Sequence, residues 1–433
     1  MRINSHLPQP VKPLSVKFIH AADIHLDSPL SGLASYKDAP SEVLRTATRD
    51  AFTQLVDVAI EEAVDFMVIA GDLYDGNWKD YNTGHYFCRE MGRLNRAGTP
   101  VYLLFGNHDA ESEMSKKLAL PPNVHLFDAR KASTFHIESL RVALHGRSFK
   151  EAATTENLAV GYPPPTPGWL NIGVLHTALE GNAAHATYAP CSLAELNAKG
   201  YDYWALGHVH EYAVLQRNPW VVFPGNLQGR HIRETGPRGA VMVSADETGV
   251  HAVERLLVDV LRWQVVELDA SAAQTLEDVV RLAGRAFEAL VDATPGHLYL
   301  SVRVHITGKS AAHGELFGLA AHLRAEILGQ AAAVGLDRLW VEKVRIETET
   351  LGETGDHMAR SDAIADLQTL LAEAPQDAAL LAALVDDLRQ LVDKAPLELI
   401  LAIPEFRAIR NGDVAGIVRA VSPDLLAYLA KAG

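Results

Sequence analysis

Five short strings of acidic, amide and imidazole side chains each follow closely on an apolar run, and that coupling constrains the fold more than any other property of the chain. Val16-Lys17-Phe18-Ile19 leads into Asp23-Ile24-His25, and Asp65-Phe66-Met67-Val68-Ile69-Ala70 into Gly71-Asp72-Leu73-Tyr74-Asp75. Val101-Tyr102-Leu103-Leu104-Phe105 leads into Gly106-Asn107-His108-Asp109, Ile172-Gly173-Val174-Leu175 into His176-Thr177, and Tyr203-Trp204-Ala205-Leu206 into Gly207-His208-Val209-His210. Short apolar runs bounded by turn residues read as buried strands. In α/β folds, ligand-binding groups gather beyond the carboxyl ends of such strands.

Strand-like and helix-like segments alternate from about 16 to 262, with helices expected over Ser41 to Val64 and Asn82 to Ala97 and hairpins around Asn218-Pro219 and Glu247-Thr248-Gly249. The proline-rich run from Gly161 to Gly168 must be a loop, because consecutive prolines fit neither a helix nor a central ladder. Residues 263–350 then read strand, helix, strand, helix, strand: Trp263 to Leu268, Leu276 to Val291, Leu298 to Thr307, Glu315 to Ala333 and Leu339 to Glu347. From Leu298 to Ile306 apolar residues alternate with Tyr299, Ser301, Arg303 and His305, so one face is buried and the other polar. Residues 1–15 are expected to be a flexible arm, and residues 357–433 a helical segment with Leu381, Leu384, Leu388 and Leu391 as a seam. The chain, at 433 residues, is too long for one ordinary core. It divides in this reading into a large α/β unit (16–262), a small, separate α/β domain (263–350), and the C-terminal helices.

A formal charge of −15 argues against a surface that grips nucleic acid everywhere, since phosphate contacts come mainly from Lys and Arg. Bound cations would invert the local sign, so a phosphodiester substrate stays compatible with an acidic total. Cys88 and Cys191 are the only cysteines, too few for a disulfide framework or a thiolate cluster. No apolar stretch reaches the length of a membrane span, and the first residues lack the apolar core of a signal peptide, so a cytoplasmic protein is expected.

The five strings hold what a two-metal centre requires: a carboxylate to bridge, imidazoles, and a neutral amide oxygen. Asp72, on a Gly-Asp turn directly after a buried strand, is the best bridge. Asp23 and His25 can reach one ion together if the backbone bends there, Asn107 offers an oxygen, and His176, His208 and His210 offer imidazoles. The absence of thiolates favours a hard to borderline ion such as Mn²⁺. A lone Asp-x-His is usually structural and a lone Gly-Asp is usually a turn. A specified tetrad such as Gly-Asn-His-Asp arises by chance on the order of once in several hundred thousand positions at average usage.

This ordered set resembles the calcineurin-like metallophosphoesterase superfamily, with its Asp-x-His, Gly-Asp-x-x-Asp, Gly-Asn-His-Asp/Glu, lone His and Gly-His-x-His. Within it the chain is similar to SbcD-type DNA repair exonucleases and most to their YhaO-like branch. That finer likeness rests on Phe18 to Asp27, Trp78 to Gly84, Tyr188-Ala189-Pro190-Cys191, Tyr203 to His208 and Pro224 to Arg230. The resemblance implies a first ion held by Asp23, His25, Asp72 and His210, and a second by Asp72, Asn107, His176 and His208. His108 is then a catalytic residue facing the phosphate, with Asp109 orienting it. Asp75 stands where some relatives have His, which leaves open both a partnership with His108 and a supporting role.

The resemblance also implies the fold, an α/β catalytic domain with two central sheets flanked by helices (16–262) and a small α/β domain capping its metal face (263–350). The activity it implies is Mn²⁺-dependent hydrolysis of DNA as exonuclease, with endonuclease as an alternative, in DNA repair. Rival readings are a small-molecule or cyclic-nucleotide phosphodiesterase, a phosphoprotein phosphatase, and a non-enzymatic scaffold on a phosphoesterase fold. Arg230, His231, Arg233 and Arg238 form either a solvated loop or contacts to the DNA backbone. Arg303 and His305 belong to an exposed strand face or to the same track. Trp78 and Tyr81 either pack or stack on a base, while His85, His145 and His185 are read as structural. The resemblance also implies an SMC-like coiled-coil ATPase subunit as partner, which the C-terminal seam could dock unless its own chain covers it. A second copy of the chain is a further admissible partner.

Overall fold

The computed structural model describes residues 15–28, 41–75, 80–111, 119–179, 188–335, 337–351, 362–396, 400 and 403–432. Trp78 and His185 lie outside the described residues, as do positions 1–14 of the expected arm; Ser15 opens the first strand. The chain divides into two compact units, Met1–Gln264 with His297–Leu300, and Val265–Gly296 with Ser301–Gly433.

In the first unit two six-stranded sheets share one core. One has the order β12-β11-β1-β2-β3-β4, built from Gly249–Leu257 (β12), Gly239–Asp246 (β11), Ser15–Ala21 (β1), Phe66–Ala70 (β2), Val101–Leu104 (β3) and Val124–Leu126 (β4). The other has the order β5-β6-β7-β8-β10-β9, from Ser133–Ile137 (β5), Val142–Gly146 (β6), Leu170–His176 (β7), Tyr203–Gly207 (β8), Trp220–Phe223 (β10) and Ala213–Arg217 (β9). β1, β2 and β3 are mutually parallel, as are β6, β7 and β8, so in each sheet the strands that precede the motif strings point the same way.

Both faces of these strands are buried, which is why they read as continuous apolar runs. Successive side chains go to different cores. Phe18, Val68 and Leu104 meet Leu144, Ile172, Val174 and Ala205 between the sheets. Ile19, Met67, Ile69 and Leu103 turn outward onto Phe52, Leu55, Phe87 and Met91 of the helices Ser41–Glu61 (α1) and Tyr81–Ala97 (α2). On the far side Leu175, Trp204 and Leu206 pack with Tyr162, Leu196 and Tyr201. α2 starts at Asp80, whose carboxylate accepts the Asn82 N–H, and stops at Gly98, which adopts φ 81°.

The second unit carries most of a three-stranded sheet in the order β13-β14-β15, made of Leu261–Asp269, Tyr299–Lys309 and Leu339–Glu349. The helix Leu276–Asp292 is closed by a reciprocal Thr275/Asp278 capping box. The single helix expected over Glu315 to Ala333 is instead two, His313–Gly318 and Ala320–Gly335, because Leu319 leaves helical geometry at φ −114° and ψ 30°. The break falls where the Tyr428 ring closes on Gly318, at a point that a side chain would occupy. Of the leucine seam, Leu381, Leu384 and Leu388 pack against a cluster of Val392, Ile400, Ile409 and Val414, whereas Leu391 is 57% exposed. The seam is thus largely spent on its own chain. No helix among the described residues is long and apolar enough to cross a membrane.

Candidate metal centre

Each motif string begins where its strand ends, and the backbone there is bent by force of the ladder. Asp23 N–H donates to Gly71 O at 3.0 Å, His25 N–H to Asp72 O at 3.0 Å and Thr177 N–H to Gly207 O at 3.1 Å, so the pairing of neighbouring strands continues into the turns. Asp23, His25, Asp72 and His208 all adopt positive φ, at 50°, 46°, 52° and 100°. Non-glycine residues hold that conformation only when the surrounding structure dictates it, and such strain clusters at functional sites.

The result is convergence. Asp23, His25 and His210 place one ligand-type atom each within 4.8 Å of one another, as do Asp72, His176 and His208, and likewise His25, Asp72 and His108. Asp72 Oδ2 lies 3.4 Å from His176 Nε2 and 3.9 Å from His25 Nε2, which puts this carboxylate between the two groups of imidazoles. Asn107 presents Oδ1 3.0 Å from His176 Nε2. All seven expected ligand residues therefore meet at one place, and all but His210 are buried.

Hydrogen bonding fixes which nitrogen faces inward. A carboxylate or a carbonyl can only accept, so His25 Nδ1–H donates to Asp75 Oδ1 at 2.6 Å, His210 Nδ1–H to Glu234 Oε1 at 2.7 Å and His176 Nδ1–H to Ala70 O at 2.9 Å. In the neutral ring Nε2 is then a lone pair. Two such lone pairs, on His25 and His210, face each other at 3.3 Å, and that of His176 faces two oxygens. While the rings are neutral these acceptors repel, and a cation between them, or a proton taken onto an imidazole, removes the conflict. The donor atoms are nitrogen and oxygen, which suits hard to borderline divalent ions.

In the metal-free protein the carboxylates draw a proton into the same place. Burial alone would lower the His176 imidazole, but the Asp72 carboxylate overrides it and raises it to about 9. Burial lifts Asp23 to about 6, with Asp72 adding to the rise against the pull of His210 and His176. Asp72 itself stays well below the usual carboxylate range: burial pushes it up, and the imidazoles of His176, His25 and His108 more than reverse that. Burial and the Arg230 guanidinium lower His25 to about 4.

His108 is only half-buried, unlike His25, His176 and His208, and its ring stands 5.1 Å from that of His25. Its backbone N–H donates to Asp72 Oδ1 at 3.0 Å. Asp109 is fully buried, and its carboxylate accepts the N–H groups of Gly106, Tyr74 and Leu73 at 3.0, 2.9 and 3.2 Å. Those bonds brace the turn that carries Asp72. Asp75 Oδ1 accepts from His25 Nδ1–H at 2.6 Å, the contact of a carboxylate that supports a ligand-type imidazole.

The basic loop divides into different roles. Arg238 is buried and its guanidinium grips the His210 and Thr235 carbonyls, Asn226 and Glu211, so it holds the backbone of His210. Arg230 reaches Asp75 Oδ1 at 3.3 Å and Glu234 Oε1 at 3.5 Å. His231 Nε2 is 3.7 Å from the same Glu234 oxygen, and Arg233 is exposed. Arg303 makes two bonds to Glu342, and His305 lies between Glu267 and Glu347, so both are engaged across the strands of the small sheet. Tyr81 is 61% exposed and His85 is exposed, while His145 is buried with Thr134 and Asn171 as partners. Glu234 escaped the sequence reading. It stands four residues after Arg230 in a loop read for its positive charges, and its carboxylate was the signal available. Tyr188, from the Tyr-Ala-Pro-Cys string, meets His208 edge-on with ring centres 5.5 Å apart.

Two facing sheets whose parallel strands deliver carboxylates, imidazoles and an amide to one point define a metallophosphoesterase. Comparison with known proteins agrees: the calcineurin-like phosphoesterase model matches residues 16–212, and that of the metallophosphoesterase YhaO middle domain matches residues 263–349. The uncharacterized metallophosphoesterase YhaO of Bacillus subtilis (strain 168) is 34% identical over 277 residues, 63% of this chain and 68% of that protein. DNA double-strand break repair proteins Mre11 are more distant. That of Methanopyrus kandleri is 27% identical over 216 residues, and that of Sulfurisphaera tokodaii 25% over 235. The matches cover 45% and 51% of this chain and 44% and 59% of those proteins, so the chain spans about half the length of each. The chain belongs to the calcineurin-like metallophosphoesterase family and shares the YhaO middle domain.

Proposed function

We propose that this metallophosphoesterase is a phosphodiester hydrolase that acts on DNA with two divalent ions, Mn²⁺ in the first place. The observation that carries the reading is Asp72 between two sets of inward-facing Nε2 atoms, with His25 and His210 on one side and His176 on the other. Asp23, His25, Asp72 and His210 would hold one ion, and Asp72, Asn107, His176 and His208 the other. When bound, such a pair neutralises charge on the phosphoryl oxygens and supplies hydroxide near neutral pH.

The chain's own side chains do the rest. Asp75 and Glu234 keep the His25 and His210 rings turned inward, and Ala70 O does so for His176. His108, at the accessible edge of the group, is within reach of a substrate phosphate and can give a proton to the departing oxygen. DNA as substrate is supported by the two Mre11 relatives, and Arg233 offers an exposed positive charge on the adjoining loop. Cys88 and Cys191 are reduced thiols, not joined in a disulfide, which suits a reducing, cytoplasmic setting. A coiled-coil ATPase partner completes the reading; because Leu381, Leu384 and Leu388 are spent on the chain's own cluster, co-purification with a chain ending near residue 355 decides whether the C-terminal segment carries that contact.

Hydrolysis of duplex DNA, single-stranded DNA and bis(p-nitrophenyl) phosphate, each with added Mn²⁺, tests the proposal. DNA turnover is expected, lost in His108→Ala with metal content kept, and lost in Asp72→Ala together with metal. Turnover of the small diester without either DNA substrate would reassign the enzyme to small molecules. Full activity in His108→Ala or Asp72→Ala would overturn the assignment of the site.

A further inference from the structure

The two halves of the candidate centre are supported differently. On one half both imidazoles are backed by carboxylates, His25 by Asp75 at 2.6 Å and His210 by Glu234 at 2.7 Å. On the other, His176 is backed by a neutral carbonyl, Ala70 O at 2.9 Å, and the amide of Asn107 takes the place of a charged ligand. We infer that Asp75 and Glu234, joined through Arg230, are positioning residues that make the His25–His210 half the higher-affinity ion site, filled before its neighbour.

The inference rests on the two-ion reading and on how a second carboxylate acts through imidazole. A carboxylate that accepts Nδ1–H locks the tautomer, fixes the ring plane and increases the basicity of Nε2, and loss of such a partner costs about 10- to 100-fold in metal affinity. A carbonyl locks the tautomer with much less charge. Asp75 and Glu234 also approach from separate loops, so they would hold the two rings in place only if they are themselves held.

Arg230 supplies that restraint. Its guanidinium lies 3.3 Å from Asp75 Oδ1 and 3.5 Å from Glu234 Oε1, and donates to Ser28 Oγ at 3.3 Å. Its own backbone N–H donates to the second Glu234 oxygen at 2.7 Å, which Asn226 Nδ2 also reaches at 3.0 Å. The loop is anchored behind by Trp263 Nε1–H, which donates to Gly229 O at 2.9 Å, and by Gln228, whose Oε1 accepts from Val260 N–H at 2.9 Å. Two carboxylates and one guanidinium leave a net negative charge behind the His25–His210 rings, which favours a cation there.

Titration of the metal-free protein with Mn²⁺, followed calorimetrically and by the spin-resonance signal of free Mn²⁺, is expected to give two steps. Asn107→Ala should remove the weaker step and leave the tighter one. Glu234→Gln and Asp75→Asn, nearly isosteric and on separate loops, should each weaken the tighter step by about 10- to 100-fold and shift the weaker one by less than about threefold. Thermal melting of the chelated variants reports whether each is folded, and either variant suffices if the other melts. Equal affinities in the wild type, a shift confined to the weaker step, or equal shifts of both would overturn the inference and leave the two-ion reading intact. Absence of any Mn²⁺ binding in the wild type would instead remove the reading on which it stands.

Discussion

Asp109 accepts the backbone N–H of Tyr74 at 2.9 Å across 35 residues of chain, and with its other oxygen the N–H groups of Leu73 and Gly106. One fully buried carboxylate thereby joins the turn after β2 to the turn after β3, and Asp72 and Asn107 issue from those turns. Burial and the neighbouring Asp72 raise its pKa to about 7, against the three N–H groups that favour the anion.

Asp109→Asn should therefore act on the shape of the centre as a whole. The amide NH₂ would face backbone donors, and leaving buried N–H groups unmatched costs about 1–3 kcal/mol each. The expected outcome is a lower melting temperature together with weakened Mn²⁺ binding. His108→Ala should change neither appreciably. A variant that keeps wild-type stability and metal binding and loses only turnover would assign Asp109 to the chemistry instead.

His20 supplies a pH dependence that can be isolated. Its Nε2–H donates to Leu206 O at 3.0 Å, and its Nδ1 accepts from the Tyr203 hydroxyl at 2.9 Å. Complete burial lowers its pKa from 6.5 to about 3, only partly opposed by the Leu206 carbonyl. Between those values the unfolded chain binds a proton that the folded chain does not. Stability is then complete above pH 6.5 and is lost as the pH falls toward 3, at up to about 1.4 kcal/mol per pH unit. Denaturant midpoints at pH 7.5, 6 and 5 should fall more steeply for the wild type than for His20→Gln. Parallel profiles would refute the buried neutral imidazole.

The extent to which the sequence revealed this arrangement follows from what each feature depends on. β1, β2, β3, β7 and β8 were legible because strands buried on both faces carry apolar residues without interruption, and the turn residues that stop them are the ligand residues. The gathering of Asp23, His25, Asp72, Asn107, His176, His208 and His210 was expected from their order at the ends of apolar runs and from the family resemblance, and the strands that carry them run parallel within each sheet. The partner of Asp75 was not legible, because its contact with His25 spans 50 residues and depends on the positive φ of His25. Glu234 and the inward contacts of Arg230 were hidden for a related reason: a loop rich in Arg and His looks like a surface for phosphate, whereas Arg230 and Arg238 turn inward and Arg233 stays exposed. The break at Leu319 was invisible locally, since the Tyr428 ring that accompanies it comes from more than a hundred residues later.

Glycine substitutions separate close approach from backbone freedom. A Cβ on Gly106 would stand 2.3 Å from Asp72 Oδ1 and 2.8 Å from His176 Cε1, whereas one on Gly98 meets nothing within 4 Å. Gly106→Ala should displace Asp72 and remove metal binding in a chain that still folds. Gly98→Ala has space but must hold φ 81° at the end of α2, at a cost of about 1 kcal/mol, with metal binding unchanged. Metal quantitation beside a melting curve checks both, and metal retained by Gly106→Ala would contradict the position given to Asp72.

The last expectation concerns what the ions give back to the fold. Asp23, His25, Asp72 and His208 hold positive φ, and strain of that kind costs of the order of 1–3 kcal/mol per residue. The Nε2 atoms of His25 and His210 add a contact at 3.3 Å that is repulsive while both rings are neutral. An ion that binds only the folded arrangement offsets these costs, by about 4 kcal/mol when its concentration is a thousand times the dissociation constant. For a unit of this size each kcal/mol moves the midpoint by about 2–4 °C, so saturating Mn²⁺ should raise the melting temperature by about 10 °C over the chelated protein. Asp72→Asn, deprived of the shared carboxylate, should melt at nearly the same temperature with and without Mn²⁺. Equal melting of the wild type in chelator and in excess Mn²⁺ would mean that the strained turns are stabilised by the protein alone, and that the convergence of these side chains is not a metal site.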